Sequence, residues 1–213
     1  TVQDEAHLAV RTLAVDYVSG AVEPIHTHRW PQLLYAARGA VTVNVPKAYW
    51  ILASGQALWI PSGVPHQLKM SSRVALRTLY FCDDLLVARQ VPVGLRVSPL
   101  LHESIVRACL EGHLDERSPF HAALVAVIRH ELDRAPPESW QLLYPVDRRA
   151  VRLSERFLAA DAVDVPLEQL IAEASLSRRT AERVFRRETG LSPARWRRQA
   201  AMARSLIAIA NGD

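Results

Sequence analysis

The spacing of apolar residues divides the chain into a first part with strand-like alternation and a second part with helical periodicity. From about residue 10 to residue 97, the chain has short runs rich in β-branched and aromatic residues. Apolar residues can occupy every second position of such a run, as at Val41, Val43 and Val45. Turn-forming stretches such as 60–65 separate these runs. Many short strands at this spacing predict an antiparallel barrel or sandwich.

Beyond residue 97 the apolar period becomes that of a helix. Ser98 and Pro99 supply a capping residue and a first-turn proline, and apolar residues follow at helical spacing. A second helix is predicted over 121–135, and two prolines directly after it break the pattern. The segment 135–147 is therefore predicted to link two domains.

Length and composition agree with two globular domains. The 213 residues exceed the usual domain size of ~100 to 150 residues, and a hydrophobic fraction of 49% with 23% charged residues is ordinary for a folded protein. Cys82 and Cys109 are too few for a disulfide framework or a thiolate zinc site. The sequence has no targeting segment and no apolar run of the ~18 residues that a membrane span needs, so we expect a cytoplasmic protein without membrane contact.

The net charge of +4 is concentrated at one end of the chain. Residues 1–146 hold 13 basic and 13 acidic groups, whereas residues 147–213 hold 13 basic and 9 acidic groups. Between 174 and 204, nine arginines stand against only Glu182 and Glu188. Such a local basic excess is typical of a nucleic-acid-binding surface, although arginine-rich helices also occur as solvated faces.

Two spaced motifs occur in the strand-rich part. The first contains, in order, Gly20, His26, His28, Gln32 and Gly39, and the second contains Gly55, Pro61, Gly63, His66 and Met70. Over about residues 20–81, their order and spacing resemble the paired motifs of the cupin superfamily. The resemblance implies a small β-barrel that brings two histidines and a glutamate from the first motif together with one histidine from the second.

The resemblance implies that His26, His28 and His66 are metal-ligand positions, while Gln32 occupies the position of the family's glutamate. An amide supplies neither the charge nor the strong oxygen donation of a carboxylate, so affinity for a divalent ion should fall. Three imidazoles can still hold zinc, nickel or copper with a water completing the coordination, and zinc or nickel is preferred here. The alternative is that the same residues form a polar end-wall for a small organic effector.

Aromatic residues of the barrel are further candidates for effector contact, although each also fits an ordinary core position. The predicted ligand-binding residues are His26, His28, Gln32, His66, Tyr35 and Trp59, with Trp50 and Tyr80 as additional walls.

The segment 166–210 has helix-starting and helix-ending residues at the spacing of a helix-turn-helix unit. Pro166 is placed for the first turn of one helix, Ser177 can cap the next, and Gly190 can end it. The buried stripe of that second helix is predicted to be Ala181, Val184 and Phe185. An α-helix fits the major groove, where arginine pairs bidentately with guanine. The residues predicted to contact DNA are Arg178, Arg179, Thr180, Glu182, Arg183 and Arg186.

The apolar positions, the Ser177 cap, the run 185–190 and the following Ser192 and Pro193 resemble the DNA-binding domain of the AraC/XylS family of transcriptional regulators. A cupin barrel ahead of this domain is the usual effector-sensing arrangement of that family. Family domains carry two helix-turn-helix units, and the second should begin where this sequence ends. We therefore expect a truncated domain that holds only the first unit.

These observations predict an α+β multidomain protein. We expect a cupin-like antiparallel β-barrel over 1–97, a helical dimerisation and linker region over 98–146, and an all-α DNA-binding domain over 147–213. The expected function is that of a homodimeric, sequence-specific regulator that binds double-stranded DNA and a small-molecule effector or metal, and is not an enzyme. The alternative is a cupin metalloenzyme of dioxygenase or isomerase type, against which the missing glutamate and the additional domain weigh.

Dimerisation is predicted through the helices between residues 98 and 135, because they carry more apolar surface than a peripheral hairpin needs. The alternative is that this surface packs only against the barrel. The apolar residues concerned are Leu100, Leu101, Ile105, Leu124, Val127, Ile128 and Leu132.

Overall fold

The computed structural model describes residues 8–46, 48–82, 89–138 and 141–211. The strands, in chain order, are β1 Leu8–Tyr17, β2 Val22–His26, β3 Gln32–Arg38, β4 Val41–Val45, β5 Ala48–Leu52, β6 Gln56–Ile60, β7 His66–Met70, β8 Val74–Phe81, β9 Val93–Arg96, β10 His113–Asp115, β11 Pro137–Glu138 and β12 Gln141–Leu143. The helices are α1 Pro99–Glu111, α2 Pro119–Arg134, α3 Arg148–Leu158, α4 Leu167–Glu173, α5 Arg178–Thr189 and α6 Pro193–Asn211, with a short 3-10 turn at Ala160–Ala162.

Two antiparallel sheets build the N-terminal half. Sheet A has the strand order β10-β1-β8-β3-β6-β9-β11, and sheet B has the order β12-β5-β4-β7-β2. Their inner faces meet in one apolar interior, to which sheet A contributes Leu34 and Leu58 and sheet B contributes Val43 and Leu68. The predicted antiparallel β-structure at the N-terminal end is thus confirmed, and we refer to these two facing sheets as the barrel.

The central strands of sheet A are buried on both faces. In β3, Leu34 points into the interior, whereas Leu33 points outward, and Leu58 and Trp59 of β6 alternate in the same way. The outward residues pack under α1 and α2. Because both faces are covered, these strands require nearly continuous apolar runs instead of strict alternation.

Helices α1 and α2 cover the outer face of sheet A. Each begins at a serine cap: Ser98 Oγ accepts from the Leu101 amide at 3.0 Å, as predicted, and Ser118 Oγ accepts from the His121 amide at 3.4 Å. Several apolar residues predicted for dimer contact are buried in the core of this same chain, and so are removed from the exposed surface. These residues are Leu101, Ile105, Ile128 and Leu132.

The segment predicted to be a linker carries short strands that extend both sheets. β11 pairs with β9 in sheet A, and β12 pairs with β5 in sheet B. The strands that follow α2 therefore remain hydrogen-bonded to the barrel. The prolines that end α2 do not produce a free tether, because Pro137 itself is accommodated at the edge position of sheet A.

Helices α3 to α6 pack around an aromatic core that includes Phe157, Phe185 and Trp196. Ser177 caps α5, with its Oγ accepting from the Thr180 amide at 3.2 Å, and Gly190 ends that helix with φ +74°. Both caps agree with the sequence prediction, as does the buried stripe of Ala181, Val184 and Phe185. Among the described residues, no helix combines the length and apolar character needed to cross a membrane.

Two motif glycines with the same backbone conformation should differ in their tolerance of a side chain. Gly20 and Gly39 both have φ +83°, but a Cβ at Gly39 would overlap the carbonyl oxygen of Arg73, whereas a Cβ at Gly20 would meet open space. The left-handed conformation costs an alanine about 1–2 kcal/mol. Overlap should add roughly 1–3 kcal/mol in Gly39→Ala. Denaturant unfolding of both variants measures this difference, and equal losses of stability would contradict it.

Candidate functional site

Two neighbouring strands bring the three motif histidines together at one end of the barrel. β2 ends at His26 and β7 begins at His66, and these two residues are partners in the antiparallel register. The register of β2 shifts between Glu23 and His26, and the intervening Pro24 is tolerated because β2 lies at the edge of sheet B. His28 lies beyond the end of β2, so its position depends on the following loop and not on a shared strand face with His26.

The three imidazole rings form a compact cluster. The ring centroids of His26 and His66 are 4.3 Å apart, those of His28 and His66 are 4.9 Å apart, and those of His26 and His28 are 5.9 Å apart. One ring nitrogen from each histidine lies within 4.8 Å of the other two. The sequence prediction that these residues lie together is supported by this geometry.

Backbone carbonyl groups fix the orientation of all three rings. Nδ1 of His26 is 2.8 Å from Pro24 O, Nδ1 of His28 is 2.9 Å from Trp30 O, and Nδ1 of His66 is 2.9 Å from Val64 O. Since a carbonyl oxygen only accepts, each Nδ1 must carry the proton and donate it. In the neutral form, each histidine then keeps a lone pair on Nε2. The sequence did not indicate these partners, because they are backbone atoms.

His66 is the most buried of the three histidines. Its side chain is 1% exposed, and its Nε2 atom has no hydrogen-bond partner among the described residues. Desolvation, with smaller contributions from His26 and His28, lowers the pKa of His66 to about 4. At neutral pH this ring is therefore uncharged, and its Nε2 lone pair is available to a ligand.

Gln32 completes the polar wall beside His28. The Gln32 side chain is buried, and the oxygen end of its amide lies 2.8 Å from Nε2 of His28. Two acceptors cannot form a hydrogen bond, so this pair requires either a turned amide that presents N–H or a second proton on His28. In either arrangement Nε2 of His28 is engaged, so a metal ion that binds there displaces this contact with Gln32.

The interior behind the histidines is lined by buried apolar side chains. Leu34, Leu58, Ile60 and Met70 are 0% exposed. The histidines and Gln32 thus form an end-wall near the mouth of the barrel. Tyr80 lies at its side, with its ring centroid 5.1 Å from that of His28.

Two aromatic residues predicted to share this site lie on the other face of sheet A. Tyr35 and Trp59 belong to the core under α1 and α2, where the Tyr35 hydroxyl is 2.7 Å from Nδ1 of His102 and Trp59 Nε1 donates to Arg89 O at 3.1 Å. Strand alternation explains the separation, because Gln32 and Tyr35 are three residues apart in β3 and so point to opposite faces.

The donor set of the cluster fits a divalent transition-metal ion. Its three imidazoles are the nitrogen ligands that zinc and nickel accept, and His66 Nε2 is a buried donor with no described partner. The backbone hydrogen bonds at Nδ1 are the orienting contacts that metal-binding histidines usually have. His26, His28 and His66 would hold such an ion, which would supply Lewis acidity at this end of the barrel.

The predicted DNA-contact residues lie together at α5. Their arginines are exposed, whereas Thr180 and Glu182 are partly buried. Arg178 pairs with Glu168 of α4, and Arg186 pairs with Glu182 at 3.2 Å. Thr180 Oγ1 is 2.9 Å from the capping hydroxyl of Ser177. Within the described part of the chain, no hydrogen bond or ion pair engages the side chains of Arg179 and Arg183.

Some of the neighbouring arginines have structural roles. Arg197 donates to the carbonyl groups of Ala162, Val163 and Val165 at 2.7–2.8 Å, and Arg204 donates to Phe157 O. Their donors serve the chain itself. The basic excess counted along the sequence is therefore larger than the basic surface that α5 and its neighbours expose.

Comparison with known proteins finds a matching family model and a similar regulator. Residues 7–112 match a family model described as the AraC-like ligand binding domain. The HTH-type transcriptional regulator NimR of Escherichia coli K12 is 30% identical over 192 residues, which cover 89% of this chain and 70% of NimR.

Solved structures similar to this chain include a cupin and a protein named KdgF. An RmlC-like cupin from Shewanella frigidimarina is 22% identical with a TM-score of 0.34, and the match covers 36% of this chain and 68% of that one. KdgF from Halomonas sp. is also 22% identical with a TM-score of 0.34, and its match covers 35% of this chain and 71% of that one.

Restoring a carboxylate at the end-wall should strengthen metal binding. Gln32→Glu places a negative charge beside His28, so we expect the affinity for Zn²⁺ to rise by at least about tenfold, or about 1.4 kcal/mol. Calorimetric titration of wild type and variant with Zn²⁺ measures the change. Gln67→Glu is the control, because Gln67 pairs with Asn44 rather than with the histidines. A Zn²⁺ affinity that is unchanged by Gln32→Glu would contradict the assignment of the site.

Proposed function

The chain belongs to the AraC family of transcriptional regulators, and from this premise we propose that it is a ligand-controlled, sequence-specific DNA-binding regulator. Helix α5 contacts DNA, and the histidine end-wall binds a small effector or a metal ion. The observation that carries the proposal is the capped helix α5, which presents exposed Arg179 and Arg183 without partners among the described residues, in a chain similar to a known regulator.

Two features of the turn between α4 and α5 support a helix-turn-helix unit. Ser175 adopts φ +57° in the turn, and the amide of Leu176 donates to Ile171 O at 3.1 Å. A turn of this kind directs the second helix away from the first, as DNA-binding units require. Phe185 is buried and holds α5 against the core, while the arginines of α5 remain exposed. This arrangement suits insertion of α5 into a major groove.

The histidine end-wall supports a ligand that offers positive charge or hydrogen-bond donors. Neutral His66 presents a lone pair, and His26 presents another when it is neutral. A transition-metal ion, with zinc or nickel preferred, or a small organic effector with N–H or O–H groups meets this requirement. We place the ligand at the mouth of the barrel, where the ring nitrogens of His26, His28 and His66 converge.

Metal-dependent catalysis of the dioxygenase or isomerase type is the second candidate function. The convergent ring nitrogens of His26, His28 and His66 favour it. The amide of Gln32 in place of a carboxylate makes the site less suited to oxygen chemistry. The regulator is preferred because catalysis gives no role to the arginines of α5.

The proposed regulator is a homodimer that associates through the exposed sides of α1 and α2. After the buried residues of these helices are excluded, Leu100, Leu110 and Phe120 remain exposed. The guanidinium of Arg107 lies 5.1 Å from the Phe120 ring centroid, so the patch has a charged border. A two-fold interface uses the same surface patch of both subunits, and an exposed apolar patch can serve this purpose.

Arg179→Ala and Arg183→Ala should each weaken binding to a preferred duplex. The expected loss is roughly 1–3 kcal/mol if the arginine reads a base, with a much smaller loss on scrambled DNA. The measurement is the Kd of the protein for a duplex selected from a random library, alongside a scrambled duplex at the same salt concentration. Arg152→Ala, an exposed arginine on α3, is the control. Failure to enrich any duplex would contradict specific DNA binding, and equal losses on both duplexes would limit these arginines to phosphate contact.

Leu110→Asp should shift the protein from dimer to monomer. The substitution places a charge in the proposed apolar interface, and sedimentation equilibrium measures the result. Val163→Asp serves as the control, because Val163 is exposed outside α1 and α2. A wild-type protein that sediments as a monomer at high concentration would contradict the dimer.

A further inference from the structure

Residues 141–147 connect the barrel to the C-terminal helices, and we name this segment the strap. Its β12 strand extends sheet B by pairing with β5, with Gln141 opposite Trp50 and Leu142 opposite Tyr49. The strap then ends at Asp147, which caps α3 by accepting from the amides of Arg149 and Ala150. The strap is therefore anchored in regular structure at both ends.

The same strap is hydrogen-bonded to α5 and α6. The Trp196 indole N–H of α6 donates to Leu143 O at 2.8 Å. Glu188, in the last turn of α5, accepts from the amides of Val146 at 2.6 Å and Asp147 at 3.1 Å. The helix that carries the proposed DNA contacts is thus tied directly to the segment that extends the barrel sheet.

Apolar packing reinforces these hydrogen bonds. Ile51 of β5 and Leu142 of the strap are buried in the same core as Trp196. Aromatic ring contacts also connect β5, the strap and α6. The ring centroids are 6.3 Å apart for Tyr49 and Tyr144 and 5.9 Å apart for Tyr144 and Trp196. The barrel and the C-terminal helices therefore share one continuous core here.

β5 contacts two different cores with its two faces. Trp50 packs inside the barrel, whereas Ile51 packs against the C-terminal helices. Opposite Trp50, Val43 of β4 is also paired with Leu68 of β7. β7 is the strand that begins at His66, so two strand pairings connect the histidine end-wall to β5.

We propose that β5 and the strap form a coupling element that transmits displacement of the barrel interior to α5. Residues 50 and 51 are joined by a planar peptide, so a shift of Trp50 also moves Ile51 and the strap strand paired with β5. Because Glu188 holds the strap amides, this displacement reaches the end of α5. The role of this coupling in regulation rests on the proposed function, whereas the mechanical link itself does not.

The test compares two buried tryptophans on different faces of the barrel. Trp50→Phe changes the interior side of β5, and Trp59→Phe changes the side of sheet A that faces α1 and α2. Trp59→Phe is the control. It loses the hydrogen bond from Trp59 Nε1 to Arg89 O, whereas Trp50→Phe loses no hydrogen bond, because Trp50 Nε1 has no partner among the described atoms. Hydrogen–deuterium exchange of the Val146 and Asp147 amides is measured in the full chain without ligand or DNA, with α2 amides as the reference for global opening.

We expect Trp50→Phe to accelerate exchange at these two amides by at least about fivefold relative to the α2 amides. A factor of about five is the lower end of the usual coupling between two sites in a protein. Trp59→Phe should leave the ratio within about twofold of wild type. Ile51→Val, a milder change on the outward face of β5, should act in the same direction as Trp50→Phe. An unchanged ratio in both β5 variants, or the same increase in Trp59→Phe, would overturn the coupling. Either result leaves the proposed function standing, because neither DNA nor effector takes part in the measurement.

Discussion

The arrangement of this protein depends on one constraint, which is that strands β3, β5 and β6 are buried on both faces. In β5, alternation sends Trp50 into the barrel and Ile51 into the core of the C-terminal helices. A slip of one residue in the pairing would exchange these two environments, so both cores together fix the register. The same rule in β3 and β6 separates the barrel interior from the layer under α1 and α2. One local property of strands therefore determines which side chains can meet a ligand.

The histidine end-wall shows how backbone geometry determines side-chain chemistry. Carbonyl groups of Pro24, Trp30 and Val64 require a proton on each Nδ1 atom, and this directs the lone pairs of the neutral rings to Nε2. Burial then holds the pKa of His66 low, which keeps that lone pair available. An anionic ligand would meet repulsion from such lone pairs. The proposed preference for a cation or a hydrogen-bond donor thus follows from the positions of carbonyl oxygens rather than from the number of histidines.

The sequence predicted features that depend on residues close together in the chain. It was less successful for features that depend on contacts between residues remote in the chain. The serine caps at Ser98 and Ser177 were predictable because capping involves residues three apart. The meeting of His26 with His66 was predictable only through the cupin resemblance. Tyr35 and Trp59 were assigned to the wrong face because both faces of their strands are apolar, which removes the alternation that would have distinguished them. The strands in the segment 135–147 were missed because their partners β5 and β9 are remote in sequence.

Arginine content illustrates the same limit for function. Arg197 and Arg204 donate to backbone carbonyl groups, which a guanidinium satisfies well because it has five N–H donors in a fixed plane. Such a contact stabilises the junction between helices and commits one guanidinium nitrogen of each arginine to the chain itself. Arg179 and Arg183, by contrast, project from α5 without a carboxylate or carbonyl partner among the described residues, and their donors remain directed at solvent. Both kinds of arginine contribute equally to the net charge, so charge locates the basic region, whereas only geometry separates its exposed arginines from those that support the fold.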